Sequence, residues 1–583
     1  MGVLRARAKL FALQRLPDFL VHPSGRWRTG LLPVNLLTVV GLAFLVLGYG
    51  IAHSGIASTF TDPVSQVRAQ DEAIYAHISE RMALHGGWMT PIVMGRFLLQ
   101  KPPLFLWLSA LSVKCFGPSL FALRLPSLIA AVLATAVIFS WAGRGAMAVG
   151  RSSLEAGWTA AVLLLSNPLW QIFARLGYMD MLFTLWLVAA IYVIHIDPDL
   201  AAWRSRIAFA GCTAAAIMTK SVAGLIPLFV LVLTAVIWRE RSSSQRKLGP
   251  ARVLQVCALI AVAAAPWHVY QIWTHPRWLW ADYVQVQLLN FGTHPVAQTS
   301  NESPSWFYLR RLLETDPVLM ALAALGLPSM LMQAWKRMRA DSLLLAVSMA
   351  LAGAALLAFR YRNLPYALYI VPFLAVLGAV YSPRWTWRIA MLSAVFLAKI
   401  AFPADLWGLP LGASNAPPSA ASMRSYAQQK RLNELIVVSP DDNFYSCTLA
   451  IPRVRYVYVD PADVVRGYAP HYAYLGITVT AREFLHMADT RSMFLGRLKD
   501  WGVDSDEPLA TAITVRSDAE IADLVRLNPR SDFFVPAGVG GQLSPDVLSE
   551  HEIVRSAGGW FLRARQPSLD LPRSPFAERP PAW

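Results

Sequence analysis

The sequence predicts a polytopic α-helical membrane protein with a separate soluble α/β domain at its C-terminal end. Three observations support this. The chain has 583 residues, of which 55% are hydrophobic, a larger share than ordinary soluble domains contain. Its apolar residues gather in runs of roughly 20, the length that crosses the hydrocarbon core of a bilayer. After residue 403 the long runs give way to short ones of strand length.

The longer apolar runs are assigned as membrane spans directly, and they cover residues 31–52, 121–143, 154–173, 179–196, 252–273, 316–335, 341–359, 364–382 and 386–403. Two other segments, 102–117 and 207–238, are interrupted by Lys114 and Lys220. Basic residues concentrate on the cytoplasmic side of membrane helices. If all basic clusters lie on that side, the chain must cross the membrane an even number of times between one cluster and the next. This rule predicts an interfacial helix at 102–117. It also predicts two short helices within 207–238 that turn outside the membrane at Lys220, giving eleven spans.

The charge distribution also predicts orientation and excludes one class of partner. We expect a cytoplasmic N-terminus, with residues 404–583 on the opposite side of the membrane. The net charge of +16 does not indicate nucleic-acid binding, because the basic residues lie in short runs between apolar stretches. Residues 31–52 are too long for the core of a signal peptide and are expected to remain as an anchor. The cysteines show no metal-ligand spacing.

The first outer segment, residues 53–120, is much longer than a connection requires, and long loops usually carry function. A helix is predicted to begin at Asp71, because apolar residues recur at every fourth position: Ile74, Ile78 and Met82. Gly86-Gly87 is expected to end it. This helix and the more apolar segment 102–117 have the character of helices that lie along a membrane interface.

This segment contains the residues that best fit group transfer at a membrane surface. Asp71-Glu72 opens the predicted helix, and Lys101 stands before Pro102-Pro103. A carboxylate can take a proton from a hydroxyl, and a lysine can neutralise a phosphate. Two other interpretations remain open. The acids can cap the helix, and the lysine can extend its amine from the apolar helix to the interface.

Two further charges lie at membrane depth. Asp180 follows Arg175-Leu176-Gly177 near the outer end of a span, and Lys220 interrupts another apolar run. A charged residue at the centre of a membrane helix costs about 2.5–3.5 kcal/mol on insertion scales, so it normally faces a partner or a cavity. Both residues are therefore candidates for a substrate cavity.

The C-terminal part changes character. Prolines, serines and alanines near residues 410–425 indicate a linker, so we divide the chain into a membrane domain at 1–403, a linker at 404–425 and a soluble domain at 426–583. Strands are predicted at 435–438, 454–459, 472–479, 512–515 and 533–535, and a helix at 518–527. This pattern indicates an α/β domain.

Several motifs, taken in chain order, are similar to those of a known enzyme family. They are Asp71-Glu72-Ala73-Ile74-Tyr75, Gly87-Trp88-Met89-Thr90-Pro91, Lys101-Pro102-Pro103-Leu104, Arg124-Leu125-Pro126-Ser127, Arg175 to Met181, Met218-Thr219-Lys220, Pro266-Trp267 and Leu364-Pro365-Tyr366. Together they resemble the bacterial lipid A aminoarabinose transferases and, more distantly, the protein O-mannosyltransferases. The resemblance implies the membrane-embedded GT-C fold over residues 31–403.

The resemblance also implies an activity. It indicates a glycosyltransferase in the bacterial inner membrane that takes a monosaccharide from a polyprenyl-phosphate donor, with undecaprenyl phosphate as the usual carrier. The acceptor would be a lipid, a glycan or a protein at the periplasmic face, as in modification of lipopolysaccharide or another envelope glycan. The enzyme is expected to be metal-independent, with the membrane lipid as a partner.

The same resemblance implies roles for Asp71, Glu72, Lys101 and Asp180, and the other site residues are charged or polar groups expected near them. The expected catalytic pair is Asp71 with Glu72. The expected contacts to the donor phosphate are Lys101, Arg175, Lys220 and Arg362. The expected cavity residues are Tyr75, Asp180, Arg96 and Asn290. The chain departs from the family pattern where Ile74 and Asn290 replace arginines and Asn363 replaces a lysine.

Three other functions remain open from the sequence. Intramembrane charges also mark the substrate pathways of secondary transporters, although the paired halves typical of many transporters are not evident. A metal-dependent oligosaccharyl transferase would have the same general fold. Its Trp-Trp-Asp signature is matched only weakly here, by Trp280-Ala281-Asp282-Tyr283. The third alternative is a non-catalytic subunit of a membrane glycosylation complex.

Overall fold

Long helices form most of the part of the chain that the computed structural model describes. The described residues are 31–49, 51, 60–61, 68–69, 71–93, 96–241, 248–290, 304–337, 339–358, 363–383, 434–438, 453–458, 512–514, 532–536, 545, 549, 551–556 and 559–564. The predicted span 386–403 and the predicted linker 404–425 lie outside these residues.

The α-helices are numbered here in chain order: α1 (Leu31–Gly48), α2 (Asp71–His85), α3 (Leu104–Phe116), α4 (Leu120–Ala148), α5 (Ser153–Ser166), α6 (Pro168–Ala174), α7 (Met179–Ile196), α8 (Trp203–Lys220), α9 (Ile226–Arg241), α10 (Pro250–Thr274), α11 (Pro276–Leu279), α12 (Pro304–Thr315), α13 (Pro317–Trp335), α14 (Ala340–Ala358) and α15 (Val371–Tyr381). Two 3₁₀ helices, Ser221–Leu225 and Leu364–Tyr369, precede α9 and α15, and a π-helix, Trp280–Asn290, follows α11.

Membrane-spanning character is evident in these helices. Among the described residues, seven continuous helical stretches are long and apolar enough to cross a bilayer, and three shorter apolar helices accompany them. The predicted polytopic helical protein is therefore confirmed. The number of eleven spans stays a prediction, because residues 203–238 join α8, a 3₁₀ helix and α9 without a loop, and the predicted span 386–403 lies outside the described residues.

Burial divides these helices into central and peripheral ones. Within their most apolar windows, 89% of Leu364–Tyr381 and 78% of Met179–Ile196 are buried, against 22% of Pro250–Thr274. The first two therefore form the centre of the described structure. Helix α10 presents most of its surface outwards, as a helix that faces lipid does.

Helices α2 and α3 of the first outer segment pack on each other, and α3 packs on α4. Both helices were predicted, and their bounds agree with the sequence pattern. In α2 the apolar stripe faces inwards, since Ile78 and Met82 are almost fully buried. Gly86 and Gly87 end the helix with φ values of +83° and +74°, which residues with a side chain adopt only at a steric cost.

One predicted span, residues 154–173, is divided into two helices instead of forming one continuous helix. Residues 154–173 form α5 and α6, which are separated at Asn167. The Asn167 side chain accepts a hydrogen bond of 3.0 Å from the Trp170 amide, and Pro168 occupies the first position of α6. An Asn cap followed by proline is a strong helix start, so the local chemistry explains the break.

The predicted break at Lys220 is confirmed. Helix α8 ends there, and Ser221 has a φ of 58°. The 3₁₀ helix that follows brings Gly224 against the backbone of Ile217 so closely that a Cβ atom at Gly224 would overlap it. This close approach requires glycine, and it fixes the position of the residue that carries the buried amine.

Two short antiparallel strand pairs lie in the first outer segment: β1 (Phe60–Thr61) with β2 (Arg68–Ala69), and β3 (Ile92–Val93) with β4 (Arg96–Phe97). The described C-terminal strands are β5 (Glu434–Val438), β6 (Arg453–Tyr458), β7 (Ala512–Thr514), β8 (Asp532–Pro536), β9 (His551–Ser556) and β10 (Gly559–Ala564). These six C-terminal strands form one mixed sheet in the order β7-β6-β5-β8-β10-β9. Four of the five predicted strands fall on it. The predicted strand 472–479 and helix 518–527 lie outside the described residues.

Replacing Gly224 with alanine tests the close approach behind Lys220. Gly224→Ala should destabilise the protein by about 1–3 kcal/mol, the usual cost of forcing extra atoms into a packed site. Thermal unfolding of the purified protein in detergent measures this. Gly211→Ala is the control, because nothing lies within 4 Å of a Cβ there and alanine favours a helix. Equal midpoints for the two variants would contradict this account of the turn.

Candidate active site

Glu72 is held by a buried ion pair at the start of α2. Its side chain is 2% exposed, and its two carboxylate oxygens accept hydrogen bonds from Arg124 Nε at 2.7 Å and Nη2 at 3.0 Å. The Gly177 amide also donates to Glu72 Oε1 at 2.7 Å. With both oxygens in use, the carboxylate is suited to fixing the start of α2 rather than to accepting a proton from a substrate.

Arg124 connects several parts of the chain at this point. The side chain is fully buried within α4, and its Nη1 donates to the Ile51 carbonyl at 3.0 Å. Arginine presents a planar fork of donors that matches a carboxylate. Arg124 therefore joins α4 to Ile51, three residues after the end of α1, to the start of α2 and, through Glu72, to Gly177. Arg124 stands in one of the sequence motifs, but no role was predicted for it.

Asp71 is the first residue of α2, so its backbone position is set by the neighbouring Glu72 and its ion pair. The structure describes the Asp71 backbone only. A carboxylate at a helix N-terminus is favoured in its charged form by the helix dipole. This position suits a base, and the assignment of Asp71 as the catalytic acid–base residue stays a proposal.

Lys101 meets α2 at Tyr75, one helical turn after Asp71. The Lys101 amine donates to the Tyr75 hydroxyl at 2.8 Å and lies 5.5 Å from the centre of its ring. Tyr75 is 5% exposed and packs edge-on against Phe105 and Tyr178. The acidic helix and the lysine, which are separated by about thirty positions in the sequence, are thus brought together through this tyrosine.

A second charged cluster lies between α7, α8 and the 3₁₀ helix Leu364–Tyr369. Asp180, which is 3% exposed, forms an ion pair with Lys220 and accepts a hydrogen bond of 2.5 Å from the Tyr369 hydroxyl. The Lys220 amine lies 4.1 Å from the centre of the Tyr366 ring and 4.9 Å from that of Tyr369. Each predicted intramembrane charge therefore has the other as its partner.

The two tyrosines of this cluster were not predicted as site residues. Tyr366 and Tyr369 stack with their ring centres 5.7 Å apart, and both line a cavity together with Lys220, Ser221 and Gln287. Aromatic faces stabilise a nearby ammonium group. The Leu364-Pro365-Tyr366 motif was the available signal for Tyr366. No sequence signal indicated Tyr369, because its contacts with Asp180 and Lys220 depend on the turn of the 3₁₀ helix.

Arg175 closes the end of α1. Its guanidinium donates to the carbonyls of Val46 at 2.6 Å and Leu47 at 3.3 Å. These carbonyls carry the partial negative charge of the helix C-terminus, which attracts a cation. To bind a donor phosphate as predicted, the Arg175 guanidinium would have to give up hydrogen bonds to these carbonyls.

The structure does not describe the side chains of three other predicted residues. Arg96 lies on β4 and Asn290 ends the π-helix, but the structure describes neither side chain. Arg362 lies outside the described residues. Their predicted roles in the phosphate site and the cavity stay predictions.

Known proteins resemble this chain in sequence over part of its length. Residues 100–273 match the family described as dolichyl-phosphate-mannose-protein mannosyltransferase. Undecaprenyl phosphate-alpha-4-amino-4-deoxy-L-arabinose arabinosyl transferase 2 of Pseudomonas fluorescens is 31% identical over 46% of this chain and 44% of its own length. The like-named transferase of Pseudomonas savastanoi pv. phaseolicola is 30% identical over 53% of this chain and 55% of its own. The chain thus spans about half the length of the curated relatives it matches.

Solved structures resemble this chain over most of its length. The crystal structure of ArnT from Cupriavidus metallidurans in the apo state superposes with a TM-score of 0.61 at 16% identity, covering 91% of this chain and 98% of that one. The same protein bound to undecaprenyl phosphate gives a TM-score of 0.60 at 15% identity, with the same coverage. The predicted GT-C type of helical membrane fold and the predicted family resemblance are confirmed.

Removing Arg124 tests the buried pair. Arg124→Ala should lower the free energy of unfolding by about 3–5 kcal/mol, because it leaves the Glu72 carboxylate buried without its cation. Chemical unfolding of the purified protein in detergent measures the change. Arg310→Ala is the control, since Arg310 forms a similar 2.7 Å pair with Glu314 in which the two side chains are 46% and 39% exposed. An exposed pair contributes about 0–1 kcal/mol. Losses of the same size in both variants would count against the assigned role of Arg124.

Proposed function

We propose that this protein is an integral-membrane glycosyltransferase that moves a monosaccharide from an undecaprenyl-phosphate-linked donor to an acceptor at the periplasmic face of a bacterial inner membrane. The relatives that match in sequence are named as undecaprenyl-phosphate-dependent arabinosyl transferases. A protein with the same fold was crystallised with undecaprenyl phosphate. Both findings support a polyprenyl-phosphate donor, and the charged site supports transfer.

The observation that carries this proposal is the contact between Lys101 and the acidic helix. The lysine amine lies 2.8 Å from the hydroxyl of Tyr75, four residues after Asp71. A base for the acceptor and a cation for the leaving phosphate are needed on the same substrate, so they must lie near each other. The contact of Lys101 with the helix that begins at Asp71 supports such an arrangement, although the two residues are distant in sequence.

The chemistry is a displacement at the anomeric carbon. The acceptor hydroxyl oxygen forms a bond to that carbon while Asp71 takes the hydroxyl proton as general base. The bond from the anomeric carbon to the phosphate oxygen breaks, and its electron pair stays on the polyprenyl phosphate. Lys101 stabilises the negative charge on this leaving group, an electrostatic effect that is strong in a site with little water. We expect inversion at the anomeric carbon.

Other residues complete the site in this proposal. Glu72 acts with Asp71 by fixing α2 through Arg124. Lys220, Arg175 and Arg362 add positive charge for the donor phosphate, and Tyr75, Asp180, Arg96 and Asn290 line the substrate cavity. Since Asp180 already compensates Lys220, Lys220 contributes less net charge than Lys101 does. No metal ion takes part.

The topology belongs to the same proposal. Eleven spans in residues 1–403 place the N-terminus in the cytoplasm and the first outer segment, residues 53–120, in the periplasm. The linker at 404–425 then leads to a periplasmic α/β domain at 426–583. The mixed sheet of the described C-terminal strands supports a folded domain there.

The acceptor is a lipid, a glycan or a protein of the cell envelope, and a comparison of cells identifies it. Lipids, envelope glycans and periplasmic proteins from cells with and without this protein are compared by mass spectrometry. A modification of the mass of one monosaccharide that is present only with the protein supports the proposal. Unchanged envelope components would reject it.

Replacing Asp71 tests the general base. Asp71→Asn should lower transfer by about 10²–10⁴-fold, the usual contribution of general-base catalysis, with little change in thermal stability. Mass spectrometry of the modified envelope component in complemented cells measures transfer. Asp341→Asn is the control, because it replaces an acid in the first turn of another helix, α14. Near-normal transfer by a folded Asp71→Asn variant would reject the assignment.

Replacing Lys101 tests the phosphate contact. Lys101→Ala should weaken binding of undecaprenyl phosphate by roughly 10–100-fold, the range expected for losing a charged hydrogen bond. The affinity is measured with the purified protein in nanodiscs. Lys114→Ala serves for comparison, since Lys114 lies in the same outer segment and is exposed on α3. The same affinity for Lys101→Ala and wild type would remove Lys101 from the phosphate site.

A further inference from the structure

The segment that carries Lys101 extends over residues 88–103. Within its described residues, 88–93 and 96–103, the regular elements are β3 and β4, which are two residues each. A lysine that binds a charged group must be held within about 0.5 Å of its productive position. The restraint on this segment must therefore come from contacts with other parts of the chain.

One end of the segment is attached to α10. The Met89 carbonyl accepts hydrogen bonds from Trp267 Nε1 at 2.8 Å and from Gln271 Nε2 at 2.6 Å. Trp267 is 1% exposed and Gln271 is fully buried. Two buried donors on one carbonyl fix the start of the segment, twelve residues before Lys101.

The other end is attached to the π-helix by a buried acid. Asp282 Oδ2 accepts a hydrogen bond of 3.0 Å from the Leu99 amide, and both residues are fully buried. Only Gln100 separates Leu99 from Lys101. Pro102 and Pro103 follow and are also buried, with φ fixed by their rings. The lysine backbone is thus held on one side by Asp282 and on the other by two prolines.

The π-helix also reaches the second charged cluster. Gln287 lines the cavity that contains Lys220 and Tyr366, and it stands five residues after Asp282. Five residues is the hydrogen-bond period of a π-helix, a rare element that is frequent at functional sites. Tyr283 attaches this helix to α10 through a 2.9 Å contact of its hydroxyl with His268 Nε2.

We propose that Asp282 is a positioning residue for the phosphate site: its carboxylate holds the Leu99 amide and thereby sets the position of Lys101. This inference rests on the proposed function, since it assigns to Lys101 the binding of a lipid phosphate. Asp282 touches no substrate in this role. It acts only through the backbone that precedes the lysine.

The experiment measures binding of undecaprenyl phosphate to the full-length protein in nanodiscs. Asp282→Ala should weaken binding about tenfold, the consequence of leaving the Leu99 amide without its acceptor. Asp282→Asn should stay within about threefold of wild type, because its amide oxygen can accept the same hydrogen bond. In a Lys101→Ala background, Asp282→Ala should have no further effect, since residues that act through one another are not additive.

Controls separate positioning from general stability. Asp197→Ala also removes a carboxylate that accepts from backbone amides, those of Ala201 and Ala202, both at 3.0 Å, and it should leave binding unchanged. If Asp282→Ala does not fold, Asp282→Ser replaces it, because the shorter hydroxyl does not reach Leu99.

The outcomes distinguish the two proposals. Wild-type affinity in the folded Asp282→Ala variant overturns the positioning role alone, as does a loss that adds fully to that of Lys101→Ala. A wild-type protein that fails to bind undecaprenyl phosphate overturns the proposed function and this inference with it. Both proposals are supported if Asp282→Ala weakens binding tenfold in the wild-type background and has no effect in the Lys101→Ala background.

Discussion

The bidentate pair between Arg124 and Glu72 is the constraint on which the geometry of the candidate site depends. Burying two charges costs several kcal/mol per ion, and the attraction compensates only when the remaining donors and acceptors are also satisfied. Here Arg124 donates to Glu72 twice and to Ile51, while Glu72 also accepts from Gly177. Ile51, Glu72, Arg124 and Gly177 belong to four different segments, so the start of α2, and the Asp71 backbone with it, has one position.

The lysines of the site are suited to a different task from that of Arg124. A guanidinium that is held by several directed hydrogen bonds cannot turn towards a ligand without breaking them. An ammonium group is a compact charge on a flexible stem. Lys101 has one tyrosine hydroxyl as its described hydrogen-bond acceptor, and Lys220 lies on two aromatic rings beside Asp180. The arginine therefore fixes the local structure, and in the proposed function the lysines respond to the charge of the substrate.

The sequence could predict what depends on local pattern. The apolar spacing in α2 and its end at Gly86 are set by neighbouring residues, and the break at Lys220 was predicted from the order of basic and apolar runs. All three agree with the structure. The pairing of Glu72 with Arg124 joins positions 52 residues apart, and that of Asp282 with Leu99 joins positions 183 residues apart. Such contacts depend on how helices pack. For the same reason no element was predicted between the spans 252–273 and 316–335, where the structure has the π-helix.

The departures from the family pattern increase the importance of Lys101. The family that the sequence resembles is expected to have an arginine where this chain has Ile74, beside the tyrosine that Lys101 contacts. Ile74 instead packs against the apolar core, so α2 offers no cation at that position. Asp180 compensates much of the charge on Lys220, and Arg175 is engaged at the end of α1. Of the predicted phosphate contacts whose side chains the structure describes, Lys101 then carries the largest part of the available positive charge. The restraint on its backbone therefore matters more here than in a site where several cations share the phosphate.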